Sequence, residues 1–168
     1  MNVMLFIVDD LNDWVGCLGG HPQAQTPSID RLADRGVLFT NAHCNGVNCN
    51  ASRSSFLTGV YPSTSGVYLN RTPWRASPTL ASVRALPQHF QLNGYTTGKA
   101  GKVFHRPKDF DLWDEIAPLR SDHDTVTSPE PPKLTGVQSA IDWAAIDQTD
   151  EAFFDHRMTT WMLSLIHI

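Results

Sequence analysis

The chain has 168 residues, which is enough for one domain with a sizeable core. Hydrophobic residues make up 41% of it and charged residues only 18%, a composition that excludes an intrinsically disordered protein. The formal net charge of -4, with no block of like charges, gives no reason to expect a nucleic acid partner, and three cysteines are too few for a disulfide framework.

The sequence contains no apolar run of transmembrane length, so no membrane partner is expected. The N-terminus also lacks a basic region followed by an apolar run and a cleavage site, so no signal peptide is visible. The compartment remains open. The sequence as written predicts a cytoplasmic protein, and a sequence that lacks its native beginning would predict a periplasmic or secreted one.

The first element is a continuous apolar run over residues 3–8, which predicts a central strand of a parallel sheet, covered on both faces. It ends at Asp9 and Asp10. Open α/β sheets bind ligands at the carboxyl ends of their strands, and a hard divalent cation relieves the repulsion between adjacent carboxylates. The pair therefore favours a metal site, with helix capping or turn formation as the alternative.

A helix is predicted over residues 29–35, with Ser28 as its cap and Gly36 at its end. Residues 37–42 predict a second strand. An irregular segment follows, in which His43 and Cys44 give only a weak suggestion of zinc, so that packing is favoured for both and for Cys17.

Residues 49–59 carry the strongest chemical signal. They predict a short helix over residues 52–57 that ends at Thr58 and Gly59, where glycine can adopt the left-handed conformation. Cys49 then lies at the positive end of a helix dipole, and Arg53 adds a forked cation suited to sulfate, phosphate or carboxylate. The pattern favours a nucleophile at an anion-binding helix start, with simple packing of a free cysteine as the alternative.

The rest of the chain alternates between loops and regular elements. Loops are predicted at residues 61–66 and 70–78, and a helix at residues 79–93, where Pro87 marks a break or a new first turn. A third strand over residues 95–100 completes a strand–helix–strand alternation, which indicates an α/β fold.

Beyond residue 105 the signal is weaker. Residues 113–115 and 128–132 are predicted to be surface loops, and residues 150–163 a helix. The residues available for the apolar face of that helix are Phe153, Phe154, Arg157, Met158, Trp161 and Met162.

Four blocks, at residues 2–12, 26–33, 49–59 and 94–105, together resemble the sulfatase family of the alkaline-phosphatase-like superfamily, with iduronate-2-sulfatase-type enzymes as the nearest branch. They occur in the family's order. The resemblance implies a partial alkaline-phosphatase-like fold, with a mainly parallel sheet flanked by helices. It also implies a sulfuric ester hydrolase acting on a sulfated carbohydrate.

The resemblance further implies that a separate maturase oxidises Cys49 to formylglycine, whose hydrated aldehyde supplies the attacking oxygen. Asp9 and Asp10 match ligands of a divalent cation that also binds this modified residue. The cation is calcium, with magnesium as the alternative. The maturation signature usually has proline two residues after the cysteine, whereas this chain has Ala51, which is typical of members modified by an oxygen-independent maturase.

Three further residues complete the implied catalytic set. Arg53 matches the residue that holds the formylglycine hydrate, Lys102 a contact to the sulfate, and His105 a residue that assists breakdown of the sulfated intermediate. Without the resemblance, Lys102 is an ordinary exposed lysine and His105 a hydrogen-bonded loop or core histidine.

Residues 1–168 are expected to be the N-terminal part of a catalytic domain, inactive alone, with residues 163–168 as a non-native end. Unpaired strand edges and an uncovered apolar face should follow. Two other functions stay open: a phosphonate or phosphodiester hydrolase of the same superfamily, and a non-catalytic fragment or binder of sulfated glycans.

Overall fold

The computed structural model describes residues 1–9, 11–105, 109–118 and 148–166. These form two units, Met1–Val83 and Arg84–Ile168. Helices predominate, and the second unit contains a small parallel sheet, so the predicted α/β class is confirmed.

The first unit is built from three helices: α1 (Pro27–Arg35), α2 (Cys49–Thr58) and α3 (Pro62–Ser65). Short 3-10 turns occur at Gly16–Leu18, Trp74–Ala76 and Pro78–Leu80. The apolar side chains buried in this unit are Val15, Ala51, Leu57, Val67, Trp74 and Leu80. The core thus lies on one side of α2 and under the chain that follows it.

Helix α1 begins two residues earlier than the sequence predicted. Thr26 is the N-cap residue, so the assignment of Ser28 to that role is wrong. The reason is Pro27, whose fixed φ suits the first helical position and whose missing N–H is not needed there. Gly36 ends the helix as predicted.

The strands predicted at residues 3–8 and 37–42 are wrong, because neither segment forms a strand. Their side chains are largely exposed, Phe6 by 64% and Phe39 by 76%. A strand needs a hydrogen-bonded neighbour as well as an apolar sequence, and the described residues place no strand beside either segment. Both segments therefore present apolar side chains at the surface.

Around α3 the predicted loop over residues 61–66 is also wrong. Pro62 supplies the first turn of a four-residue helix, and Gly66, with φ of 73°, closes it. The proline and glycine that predict a loop here instead mark the two ends of a short helix.

The second unit contains α4 (Leu86–Leu92), α5 (Phe154–Ile166) and the strands β1 (Gly98–Lys99) and β2 (Glu115–Ile116). Further 3-10 turns occur at Phe110–Leu112 and Asp150–Ala152. Pro87 lies in the first turn of α4, so the predicted single helix over residues 79–93 is wrong and the new-turn alternative is confirmed. No helix in the described ranges is long and apolar enough to cross a membrane.

Strands β1 and β2 pair in parallel, with Gly98 opposite Glu115 and Lys99 opposite Ile116. The third predicted strand is therefore confirmed but short, and the surface loop predicted at residues 113–115 is wrong at its last residue. Asp114 fixes the register, because its Oδ2 accepts hydrogen bonds from the backbone N–H of Thr97 at 2.8 Å and from its hydroxyl at 2.9 Å.

Helix α5 packs against the segment that begins with β1. A Cβ added to Gly98 would lie 2.9 Å from Leu165 Cδ1, and one added to Gly101 would collide with the sulfur of Met158. The six residues predicted for the apolar face of this helix are all half-buried. The helix runs to Ile166, three residues further than predicted, while the predicted loop at residues 128–132 lies outside the described residues.

Candidate active site

Cys49 occupies the first position of α2 and is half-buried. Asn48 precedes it as the N-cap residue in an extended conformation. The first backbone hydrogen bond of the helix runs from Ser52 N–H to Asn48 O at 3.0 Å, so the cysteine lies at the dipole's positive end. The predicted position of Cys49 at a helix N-terminus is confirmed, and Gly59 closes the helix in the left-handed conformation, with φ of 73°.

Arg53 lies one turn after Cys49 and is buried, with only 3% of its surface exposed. Its Nη2 donates to Asp9 Oδ1 at 2.9 Å. Asp9 itself is 43% exposed along its side chain, so the ion pair has one buried and one partly solvated member. The structure thus brings together two predicted site residues that are 44 positions apart.

The first turn of α2 is held by residues 68–72, called the 68–72 loop below. Asn50 is buried and donates both amide hydrogens to this loop, to Leu69 O at 2.8 Å and to Thr72 O at 2.7 Å. The backbone N–H of Asn50 donates to Asn70 Oδ1 at 3.0 Å. One residue beyond Cys49, the chain is therefore fixed from three directions.

The segment before Cys49 also lies against α2. Asn45 Nδ2 donates to Ser55 Oγ at 2.9 Å, and a Cβ added to Gly46 would lie 2.9 Å from Ala51 Cβ. A side chain at position 46 would therefore force Ala51 or the chain around it to shift.

Lys102 and His105 belong to the second unit, in the segment that follows β1. Lys102 is exposed and His105 is half-buried. Gly101 immediately precedes Lys102 and has φ of 65°, a left-handed conformation that directs the chain out of the strand.

Lys99 is a buried cation that the sequence reasoning did not single out. Burial lowers the pKa of Lys99 below its ordinary value of 10.5, and the neighbouring carboxylate of Asp109 opposes this effect. Lys99 and Lys102 are three positions apart, so the segment carries one buried and one exposed cation.

The fit of a divalent cation can be tested on the donor groups. Calcium takes six to eight oxygen ligands. Asp9 offers one carboxylate, which already binds Arg53, and Asp10 lies outside the described residues. Within the described ranges, no group of three or more His, Cys, Asp or Glu side chains could hold a metal. The described residues therefore do not complete a cation site by themselves.

The sequence predicts that His43 and Cys44, which precede Cys49, pack in the core. Both side chains are exposed, so this prediction is wrong. His43 Nε2 lies 2.8 Å from Asn41 Oδ1, which gives this ring a polar partner instead of a core position. Cys17 is half-buried, with its backbone N–H donating to Asp30 Oδ1 at 2.8 Å.

Sequence reasoning missed Asn50 and Asn70, which fix the start of α2. Asn50 lies before the predicted helix over residues 52–57, where a polar side chain gives no signal that it is buried. Asn70 gave no signal either, because its partner lies 20 residues away.

A family model described as Sulfatase matches residues 1–156. A protein from Formosa agariphila named "Sulfatase" is 32% identical over 176 residues, covering 96% of this chain and 35% of the relative. Human iduronate 2-sulfatase is 43% identical over 105 residues, covering 62% of this chain and 18% of the relative. Human N-acetylgalactosamine-6-sulfatase is 32% identical over 130 residues, covering 67% of this chain and 24% of the relative.

This chain spans only 35%, 18% and 24% of the lengths of these three relatives. The matched part of each is therefore much shorter than the relative as a whole. The family match nevertheless contains Asp9, Cys49, Arg53, Lys102 and His105, since all lie between residues 1 and 156.

Proposed function

This chain belongs to the sulfatase family, and we propose that the protein to which it contributes is a sulfuric ester hydrolase. The observation that carries the proposal is the start of α2, where Cys49 occupies the first position and Arg53 lies buried one turn later, paired with Asp9. Preorganised positive charge is the main requirement for sulfate ester cleavage, because the transition state places negative charge on the sulfate oxygens and the leaving oxygen.

Cys49 is the proposed precursor of the nucleophile. A separate maturase converts its CH2–SH group and a water molecule into an aldehyde, hydrogen sulfide and two protons, while two electrons pass to the maturase's oxidant. Hydration of the aldehyde gives two hydroxyl groups on the same carbon. A thiol at this position lacks the second hydroxyl, so the unmodified chain has little or no turnover.

The hydrated aldehyde would supply two hydroxyl groups on one carbon. One would provide the oxygen that attacks the ester sulfur, giving up its proton as the sugar oxygen leaves with a proton, and deprotonation of the other would release sulfate. Arg53 would hold the hydrate, Lys102 would contact the sulfate, and His105 would accept the proton of the second hydroxyl.

Asp9 and Asp10 are the proposed cation ligands in this chain, together with the converted Cys49. Carboxylate oxygens suit calcium, with magnesium as the alternative. Two carboxylates do not fill the coordination sphere of either ion, so further oxygen ligands are needed. The proposed role of this chain is the N-terminal part of a catalytic domain.

A sulfated carbohydrate is the proposed substrate. The names of two relatives contain a sugar, iduronate in one and N-acetylgalactosamine in the other, and the chain is similar to both. The proposed protein partner is the maturase that converts Cys49, for which Ala51 favours the oxygen-independent type.

The experiment uses the complete gene product, expressed with such a maturase, and measures sulfate release from an aryl sulfate. Cys49→Ala should abolish release, and Cys44→Ala, which removes an exposed cysteine five residues earlier, should leave it unchanged. Undiminished hydrolysis by Cys49→Ala would contradict the proposal. Faster cleavage of an aryl phosphate diester than of the sulfate would instead favour a phosphodiester hydrolase.

A further inference from the structure

The start of α2 is capped by a residue that lies outside the helix. An N-cap side chain usually accepts a hydrogen bond from the backbone N–H of the second or third helical residue. Asn48, the N-cap residue, makes no such bond. Asn70 Oδ1 takes its place, accepting from the N–H of Asn50 at 3.0 Å.

Side chains at the start of α2 also donate hydrogen bonds to the 68–72 loop. Asn48 Nδ2 donates to Tyr68 O at 3.0 Å, and Asn50 donates to Leu69 O and Thr72 O. The residues on both sides of Cys49 are thus bonded to the 68–72 loop. Because Cys49 itself is covalently fixed between them, these bonds set the direction in which its Cα–Cβ bond points.

We propose that Asn50 and Asn70 are positioning residues for Cys49, which act by locking the first turn of α2 onto the 68–72 loop. Their importance for hydrolysis rests on the proposed function, whereas the orientation of the Cys49 side chain does not. A nucleophile must be held within a fraction of an ångström of its productive position, and a displacement of about 1 Å can cost about 100-fold in rate.

The test compares two isosteric variants that each add one negative charge near Cys49. Asn70→Asp keeps an oxygen that accepts from the N–H of Asn50. Asn50→Asp replaces the donor facing Leu69 O and Thr72 O with an oxygen that cannot donate, so it breaks both bonds. Thr58→Ala serves as a control at the other end of α2, since it removes the 2.6 Å bond from Thr58 Oγ1 to Ser54 O.

The first readout is the labelling rate of Cys49 by a neutral maleimide in the unconverted 168-residue chain, located by peptide mass spectrometry and divided by the rate of the exposed Cys44 in the same sample. The ratio should be about fivefold higher in Asn50→Asp than in Asn70→Asp. Breaking the two bonds of Asn50 should loosen the first turn of α2 by about as much as losing an N-cap side chain does. Thr58→Ala should match the wild type. Equal ratios in the two Asp variants would overturn the proposal.

The second readout separates this proposal from the proposed function. In the complete, converted protein, Asn50→Asp should lower kcat for an aryl sulfate about 10-fold to 100-fold relative to Asn70→Asp, with KM within about twofold. A changed labelling ratio with no sulfate release from the wild type would support the positioning role and contradict the hydrolase. Sulfate release with identical kcat in both variants would overturn the positioning role.

Discussion

The Nη2 atom of Arg53 lies 2.9 Å from Oδ1 of Asp9, joining a buried guanidinium to a carboxylate that is 43% exposed. The sequence predicts both residues in one site but in different roles, Asp9 as a ligand of a cation and Arg53 as a contact to the nucleophile. Their direct contact shows that each also fixes the other. A buried arginine needs a counter-charge, and Asp9 supplies one without being fully desolvated itself.

Replacing Arg53 by Ala should destabilise the first unit by about 2 kcal/mol, less than a fully buried pair would cost because water screens Asp9. The measurement is urea unfolding followed by circular dichroism. Arg35→Ala is the matched control, since it removes an exposed arginine whose Nε donates to Arg31 O at 3.3 Å. A change of less than about 0.5 kcal/mol in both variants would show that the pair contributes nothing.

The sequence predicted those elements whose signals are local. Gly36 ends α1 and Gly59 ends α2, as predicted, because a glycine at the end of a helix is itself the signal that stops it. The half-buried face of α5 follows from its 3.6-residue spacing.

Features that depend on distant partners were missed. Phe6 and Phe39 have strand-like neighbours in sequence, yet strand formation requires a second chain segment, which no local pattern reveals. The pairing of Glu115 with Gly98 and the capping of α2 by Asn70 likewise join residues 17 and 20 positions apart. Local polarity could not identify either partner.

Gly101 should be the glycine in the second unit that is least tolerant of a side chain. Its φ of 65° disfavours any L-residue by about 1–2 kcal/mol, and a Cβ there would also collide with Met158 of α5. Gly94→Ala is the control, because Gly94 has φ of 81° but open space around it. Gly101→Ala should lose at least about 1 kcal/mol more than Gly94→Ala in urea unfolding. Equal losses of stability in the two variants would mean that the contact between position 101 and α5 adds no destabilisation.

Acid should weaken the link between β1 and β2. The backbone N–H of Thr97, followed by its hydroxyl and by Gln91, holds the pKa of Asp114 below its ordinary value of 3.8. A carboxyl with a lowered folded pKa stabilises the fold above its unfolded value, and this contribution is lost as pH falls through the folded value. The urea midpoint should therefore drop below pH 3.8 more steeply in the wild type than in Asp114→Asn.

Thr97→Val provides the companion test for that carboxyl. It removes the hydroxyl donor at 2.9 Å but keeps the backbone donor at 2.8 Å, so it should reduce the acid-dependent part of the stability without abolishing it. Identical pH profiles for the wild type and Asp114→Asn would show that Asp114 does not contribute to acid sensitivity.

Ala51 should determine which maturase converts Cys49, while having little influence on the fold. It is the third residue of α2, and the helix's own hydrogen bonds begin only at Ser52 N–H, so a proline at position 51 removes no intrahelical bond. The proline ring would crowd the backbone of Asn50, which should lower the free energy of unfolding by about 1 kcal/mol. Conversion of Ala51→Pro by an oxygen-dependent maturase, and of the wild type by the oxygen-independent one, is the expected result, measured by the mass of the Cys49 peptide.

Gly46→Ala separates recognition of the sequence from stability of the fold. A Cβ at position 46 would lie 2.9 Å from Ala51 Cβ, so this variant disturbs the packing around Ala51 without changing any residue from 49 to 53. If the maturase recognises the residues around Cys49, Gly46→Ala should be less stable than the wild type by about 1–3 kcal/mol yet converted to the same extent by the same enzyme. Conversion that instead falls in proportion to stability, in Gly46→Ala and Ala51→Pro alike, would show that the folded start of α2 is what the maturase requires.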